Sequence, residues 1–331
     1  MRNAGSRFAR RLGFTLLALS PLAASAQPLP AGCEPRELST LPLTFRDDAV
    51  PVTEVRIDGK PVPALIDTGA QQATSLDRKT LEEFGIKVNL SDSNYVGVQV
   101  ANARIDHIAL GPIEYKKAWF VVDDLQKDGV GAKIGANYLF RTDVELALAQ
   151  GYLKFFKPTG CLRASLAYWD RSTPSAPFQV HPLRKDLRPW FKVRINGQDI
   201  NAVISTVTTH SYMDLFTAKR MGLTPESPGA TREGSVKSWY DREQAVWKVP
   251  VPRMSIGELD ITNFDLRLMN MDISGEMLVL GTDFLRRHRV YVAMSQNRIY
   301  FSPVNPAPAA QVAPAAAGAD ASQARTPMSS P

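Results

Sequence analysis

The chain has 331 residues, 44% of them apolar, which is enough for two domains with proper cores and excludes a fibrous or wholly disordered chain. The net charge is +6, but the first 26 residues hold Arg2, Arg7, Arg10 and Arg11 and no acid, so the rest carries only +2. A charge that small, with no run of Lys or Arg in the body of the chain, gives no reason to expect a nucleic-acid partner.

Residues 1–26 read as a cleavable export signal. Arginines precede the apolar stretch "LGFTLLALSPLAA", and "ASA" at 24–26 fits a small-residue cleavage site. The apolar run is too short to span a bilayer comfortably, so no stable membrane span is expected after cleavage. The surroundings of Arg10-Arg11 fit a twin-arginine signal poorly, which leaves the general secretory route. The mature protein is expected in a bacterial periplasm or secreted. In such an oxidising compartment the two cysteines, Cys33 and Cys161, are expected to form a disulfide. It would clasp the ends of one lobe, and a loop of roughly 100 residues gains about 4–5 kcal/mol by the chain-entropy model. A lipid anchor at "LPAGC" fits worse, because Pro30 is awkward there and Cys33 lies well past the apolar run.

From residue 52 the pattern is mainly strands. "VTEVRI" alternates apolar and polar, and Asp58-Gly59 is a tight-hairpin dipeptide. "PVPALI" feeds into a turn at Asp67. "DRKTLEEFG" predicts a short helix closed by glycine. A hairpin is expected around Tyr95-Val96-Gly97. After "IDHIALGPIEYKKAWFVV" (105–122) come Ile134-Gly135, a helical turn and a last hairpin ending near 156. Residues 162–187 are rich in Pro, Ser and charge and read as a linker. Then the pattern restarts. "VRINGQDINAVISTVTTHSYMDLFTAKRMGL" from Val193 repeats "VRIDGKPVPALIDTGAQQATSLDRKTLEEFGI" from Val55 at an offset of 138, so Ser205 falls where Asp67 stands. "VPRMSIGELDITNFDLRL" and the Leu280-Gly281 segment continue the correspondence, and the offset grows to 146, so the second copy carries insertions. This is a duplication of whole lobes, not a short solenoid period. Residues 303–331 form a Pro/Ala tail with almost nothing to bury, read as disordered.

The run Leu65-Ile66-Asp67-Thr68-Gly69-Ala70, with Ile134-Gly135 some 65 residues later and both inside a duplicated lobe, resembles the aspartic proteases, most closely their retropepsin-like branch. The resemblance covers roughly 45–157 and 188–302. It implies an all-β fold of two retropepsin-like β-barrel lobes with short helices, paired as a pseudo-dimer. The lobes would span 27–161 and 188–302. It also implies that Asp67 is catalytic, that Thr68 bonds across the lobe interface, that Gly69 allows a tight turn with no side chain in the cleft, and that Ile134-Gly135 packs beneath the loop. Metal-free peptide hydrolysis by two facing carboxylates rests on a shared proton, one acting as base and the other as acid. Lobe two departs from this pattern. Ser205 cannot serve as an acid, and Val207 replaces a glycine, so a reshaped second loop is expected; only Thr206 keeps the family identity.

Three readings stay open. The first is an exported aspartic-type endopeptidase in which a homodimer brings two copies of Asp67 together. The second is a pseudoprotease that binds peptides in the periplasm, with Asp67 facing Ser205 and an extended peptide added as a strand. The third gives Asp67 only the ordinary turn-capping role of an aspartate. A peptide or protein substrate is the expected partner in the first two. No cofactor fingerprint occurs, and His107, His181, His210 and His288 lie in no metal-ligand spacing. Tyr95 and Gly97, and Glu233-Gly234-Ser235 in the second copy, sit where substrate-covering flaps belong, with Trp239 and Tyr240 beside the latter. His210 has no acid next to it in sequence and carries no triad.

Overall fold

The computed structural model describes residues 31–304, apart from 72–73, 96–97, 126–128, 163, 182–185, 238–242 and 271–276; for 91–99 and 237 nothing is described of the side chains. The expected signal segment, the tail from 305 onward, Gly97, Trp239 and Tyr240 lie outside the described residues.

Strands in chain order are β1 (Glu34–Pro42), β2 (Thr44–Arg46), β3 (Val50–Ile57), β4 (Lys60–Asp67), β5 (Thr74–Asp77), β6 (Val88–Tyr95), β7 (Val98–Leu110), β8 (Ile113–Asp123), β9 (Ala132–Gly135), β10 (Asp143–Ala147) and β11 (Tyr152–Thr159) in the first half. The second half adds β12 (Ser175–His181), β13 (Asp186–Ile195), β14 (Gln198–Ile204), β15 (Tyr212–Asp214), β16 (Thr231–Lys237), β17 (Glu243–Ile256), β18 (Leu259–Met269), β19 (Met277–Leu280), β20 (His288–Ala293) and β21 (Arg298–Pro303). The helices are short: α1 (Arg78–Glu83), α2 (Ala136–Leu139), α3 (Leu215–Arg220) and α4 (Thr282–Leu285).

Strand parity explains the two barrels. In β3, Val55 and Ile57 are buried while Glu54 and Arg56 face water, so one face must close over a core. Each fully buried aliphatic side chain of this kind contributes about 1.5–3 kcal/mol. β3, β4, β9, β5, β8 and β7 hydrogen-bond in that order, and β3 pairs back with β7 to close a six-strand barrel. In lobe two, β13, β14, β19, β15, β18 and β17 do the same, closed by β13 against β17. The hairpin dipeptides behave as their chemistry requires. Asp58 and Gly59 have φ of 48° and 80°, and Asn196 and Gly197 of 49° and 79°, the paired positive values of the tight turn. Asp77 caps α1 by accepting from Thr80 N at 2.8 Å, and Asp214 caps α3.

The remaining strands, β1, β11, β10, β20, β21 and β12, form an antiparallel platform that joins the lobes. Its centre pairs β10 of lobe one with β20 of lobe two, Val144 opposite Val292 and Leu146 opposite Val290. Cys33 and Cys161 are disulfide-bonded where β1 starts and β11 ends. The segment 162–187 is more than a connector. It buries Leu166 and Ala167 against Phe156, Tyr291 and the disulfide, and it contributes β12 to the platform. Its few apolar residues are spaced among Pro, Ser and charge, which hid the strand. A buried Glu145 accepts from Arg289 Nε at 2.6 Å and from the hydroxyls of Tyr152 and Tyr168, each at 2.9 Å, tying both lobes and this segment together.

Candidate active site

β4 lies parallel to β9, Ile66 beside Ile134 and Asp67 beside Gly135; β14 lies parallel to β19, Ile204 beside Leu280. Each of β4 and β14 therefore ends in a loop at the same end of its barrel, and the two loops meet. Thr68 N donates to Thr206 Oγ1 at 3.1 Å and Thr206 N donates to Thr68 Oγ1 at 3.2 Å. Thr68 Oγ1 donates to Ile204 O at 3.1 Å, and Thr206 Oγ1 donates to Ile66 O. Both threonines are fully buried. The cross-lobe bond expected of Thr68 is thus half of a reciprocal exchange.

Of the two reasons expected for Gly69, the tight turn fails and the need for no side chain holds. Gly69 is not among the positive-φ glycines, so its turn does not demand a left-handed residue. A Cβ built on it would lie 2.7 Å from Ser205 Oγ and 2.8 Å from Ser205 Cβ. Glycine is required by the approach of the other lobe. Val207, in the matching position, does not break the threonine exchange. It packs beside Val50, Leu65, Leu125 and Val130 of lobe one. The second loop keeps its grip on the first with valine in this position.

Asp67 is 7% exposed. Its Oδ1 accepts from Gly69 N at 3.1 Å and Ala70 N at 3.0 Å. Burial pushes its pKa up, while Lys133, the two N–H groups and Arg188 act in the opposite direction. The Tyr212 phenol, raised first by its own burial and then by Asp67, shares this neighbourhood. Across the interface Ser205 Oγ lies 2.7 Å from Thr208 Oγ1. Lobe two therefore presents a hydroxyl pair where lobe one presents a carboxylate.

Two features escaped the sequence reading. Arg188 enters from β13 and donates to Gly69 O at 3.3 Å. Asp283, 73 residues beyond His210, comes within 3.9 Å of His210 Nδ1 and accepts from Ser211 N and Oγ. His210 does have an acid beside it, but Asp283 is bound to Ser211, and Ser211 Oγ accepts from Gly281 N at 2.9 Å. This is a brace under the second loop, joined by Thr282 N donating to Thr208 O at 2.8 Å. Only the placement of Asp283 right after the Leu280-Gly281 pair hinted at it. Of the expected flap residues, Tyr95 ends β6 opposite Val98, and Glu233 on β16 pairs with Arg267 at 2.9 Å. Among the described residues no group of three His, Cys, Asp or Glu is placed to hold a metal ion.

Two family profiles match this chain. "Aspartyl protease" matches residues 53–138 and "gag-polyprotein putative aspartyl protease" matches residues 191–287, one in each lobe. No curated protein matches. Among solved structures, the aspartic proteinase from Irpex lacteus is similar over 81% of this chain and 98% of its own, with a TM-score of 0.51 and 13% identity. Conglutin gamma, a basic 7S globulin from lupine seeds, is similar over 82% of this chain and 96% of its own, with a TM-score of 0.47 and 11% identity. At 13% identity the proteinase likeness speaks for the two-lobe fold alone.

Proposed function

We propose, from the premise that both lobes of this chain are retropepsin-like aspartyl protease domains, that the protein is an exported peptide-binding pseudoprotease. An extended peptide or protein segment would lie in the cleft between the lobes, over Asp67 on one side and Ser205 on the other. The observation that carries this reading is the reciprocal Thr68–Thr206 exchange. It uses lobe two of the same chain to fill the interface that a second copy of lobe one would need. A single chain then owns one carboxylate, and the shared-proton dyad that activates water has no second member.

A second reading is favoured by one observation: lobe one keeps the whole Asp67–Ala70 loop with its hydrogen bonds intact. In that reading the protein is an aspartic-type endopeptidase, and two chains would have to release their own lobe interfaces to bring two Asp67 residues together. Cleavage and binding of a peptide library from pH 3 to 8, beside Asp67→Asn, separates the two. Binding without cleavage supports the pseudoprotease. Cleavage that vanishes in Asp67→Asn overturns it in favour of the peptidase. Neither binding nor cleavage removes both.

A further inference from the structure

Arg188 lies on the lobe-two strand β13, yet it serves the lobe-one loop. Its Nη1 donates to Gly69 O at 3.3 Å. That carbonyl belongs to the Gly69–Ala70 peptide, whose N–H, on Ala70, donates to Asp67 Oδ1 at 3.0 Å. One amide plane thus has a guanidinium at its oxygen end and a carboxylate at its hydrogen end. A cation on the oxygen draws electron density from the N–H and strengthens the bond to the carboxylate, the cooperativity of chained hydrogen bonds.

Arg188 is itself fixed. Its Nε and Nη2 fork onto both oxygens of Asp186 at 2.9 and 2.8 Å, and its guanidinium stacks 4.8 Å over the Trp190 ring. Trp190 Nε1 donates to Asp186 at 3.1 Å. The Arg188 and Asp186 side chains are only 13% and 5% exposed. A buried ion pair is a weak source of net stability, so its presence here calls for another role. The residue between them, Leu187, donates its N–H to Asn137 Oδ1 at 2.9 Å, at the start of the short helix beneath the loop. Three successive residues of lobe two therefore hold two parts of lobe one's site.

We propose that Arg188 is a positioning residue for Asp67, orienting and polarising the Gly69–Ala70 peptide so that the lone carboxylate is held ready in the place where a dyad would share a proton. The inference concerns the site beneath the proposed cleft and does not depend on which ligand fills it. The groups that act on Asp67 are Lys133 from β9, the Gly69 and Ala70 N–H groups of its own loop, Arg188 from β13 and Tyr212 from β15; on the facing loop Ser205 lies against Gly69, its hydroxyl paired with that of Thr208. Asp186 lies behind Arg188 and is paired with it. Arg188 and Lys133 are the two cations whose charge lowers the pKa of Asp67, and Arg188 is the one bonded to its loop.

The test is the titration of the Asp67 side-chain carboxyl by carbon NMR in the ligand-free full chain. Arg188→Met is expected to move the midpoint upward, through a lost charge and a weakened hydrogen bond. Arg188→Lys keeps the charge and recovers part of the shift. Where Arg188→Met unfolds because Asp186 is left buried and unpaired, the double variant Asp186→Asn/Arg188→Met carries the same expectation. An unchanged midpoint in a folded variant overturns the proposal. The readout uses no peptide, so a failure of peptide binding leaves this test standing, and the two can fail separately.

Discussion

The loops Asp67–Ala70 and Ser205–Thr208 hold matching places in the two repeated lobes and differ in what they carry. Both keep the threonine, and the threonines exchange hydrogen bonds as equals. Only the first keeps the carboxylate and the glycine. The second has a serine bonded to Thr208 and a valine packed on lobe one. The architecture that aligns a dyad is thus separable from the dyad. The threonine exchange depends on backbone groups and hydroxyls, and nothing in it senses whether position 205 is acidic. A lobe can lose its chemistry and still hold its partner lobe in register.

The largest effect expected from breaking this comparison is a gain. Ser205→Asp places a second carboxyl opposite Asp67, with the Thr208 hydroxyl 2.7 Å from the present Oγ and ready to donate to it. Two facing carboxyls share a proton and supply acid and base together. Turnover of an internally quenched peptide library at acid pH should rise by about 10²–10⁴ over the parent, the usual size of general acid–base catalysis. The gain should be lost on adding Asp67→Asn. A Ser205→Asp protein that folds, binds peptide and stays inert would show that more than one residue separates the two loops.

The shared part of the comparison is tested next. Thr68→Val removes the acceptor of Thr206 N and the donor to Ile204 O, and Thr206→Val removes the acceptor of Thr68 N and the donor to Ile66 O. Each strands two buried groups, at about 1–3 kcal/mol apiece. Urea unfolding should show losses of about 2–6 kcal/mol that match between the two variants. Unequal losses would mean that one loop carries the interface. Gly69→Ala should cost less, about 1–3 kcal/mol for overpacking against Ser205. Adding Ser205→Gly should return part of that loss, because the obstruction is the serine Cβ and Oγ. Without recovery in the double variant, the close approach is not what holds Gly69 in place.

Much of this was readable from the chain because it is local. Asp58-Gly59 and Asn196-Gly197 carry their turn in two residues, and Asp77 and Asp214 cap helices that start right after them. The offset between Asp67 and Ser205 gave the two-lobe plan. What stayed hidden is through-space. The need for Gly69 is set by an atom 136 residues away, so the residue type was visible and its cause was not. Arg188 stands one residue past the segment read as a linker, and nothing in the sequence signals that β13 carries it to the Gly69 carbonyl. β12 was hidden by its Pro and Ser content, since its partners β13 and β21 supply the reason for it to be a strand.

The smallest prediction concerns what the buried Asp67 costs its lobe. Asp67 is buried, and its pKa is raised in the folded protein, burial being the largest cause. A carboxyl with a raised folded pKa holds its proton more tightly folded than unfolded. Its contribution favours the fold below the unfolded pKa and is lost as pH rises through the folded one. Ionising the buried Asp67 as pH rises is therefore a net burden on lobe one, and Ser205 carries no such burden in lobe two. Asp67→Asn keeps an oxygen to accept from Gly69 N and Ala70 N but cannot ionise. Unfolding measured against pH should find this variant more stable than the parent at neutral pH, with the difference shrinking toward pH 4. Asp143, raised to about 6 by its own burial, acts in the same direction in both proteins and cancels from the difference. If the parent is the more stable at pH 7, the cations Lys133 and Arg188 have more than offset burial, and Asp67 stabilises the lobe it was expected to strain.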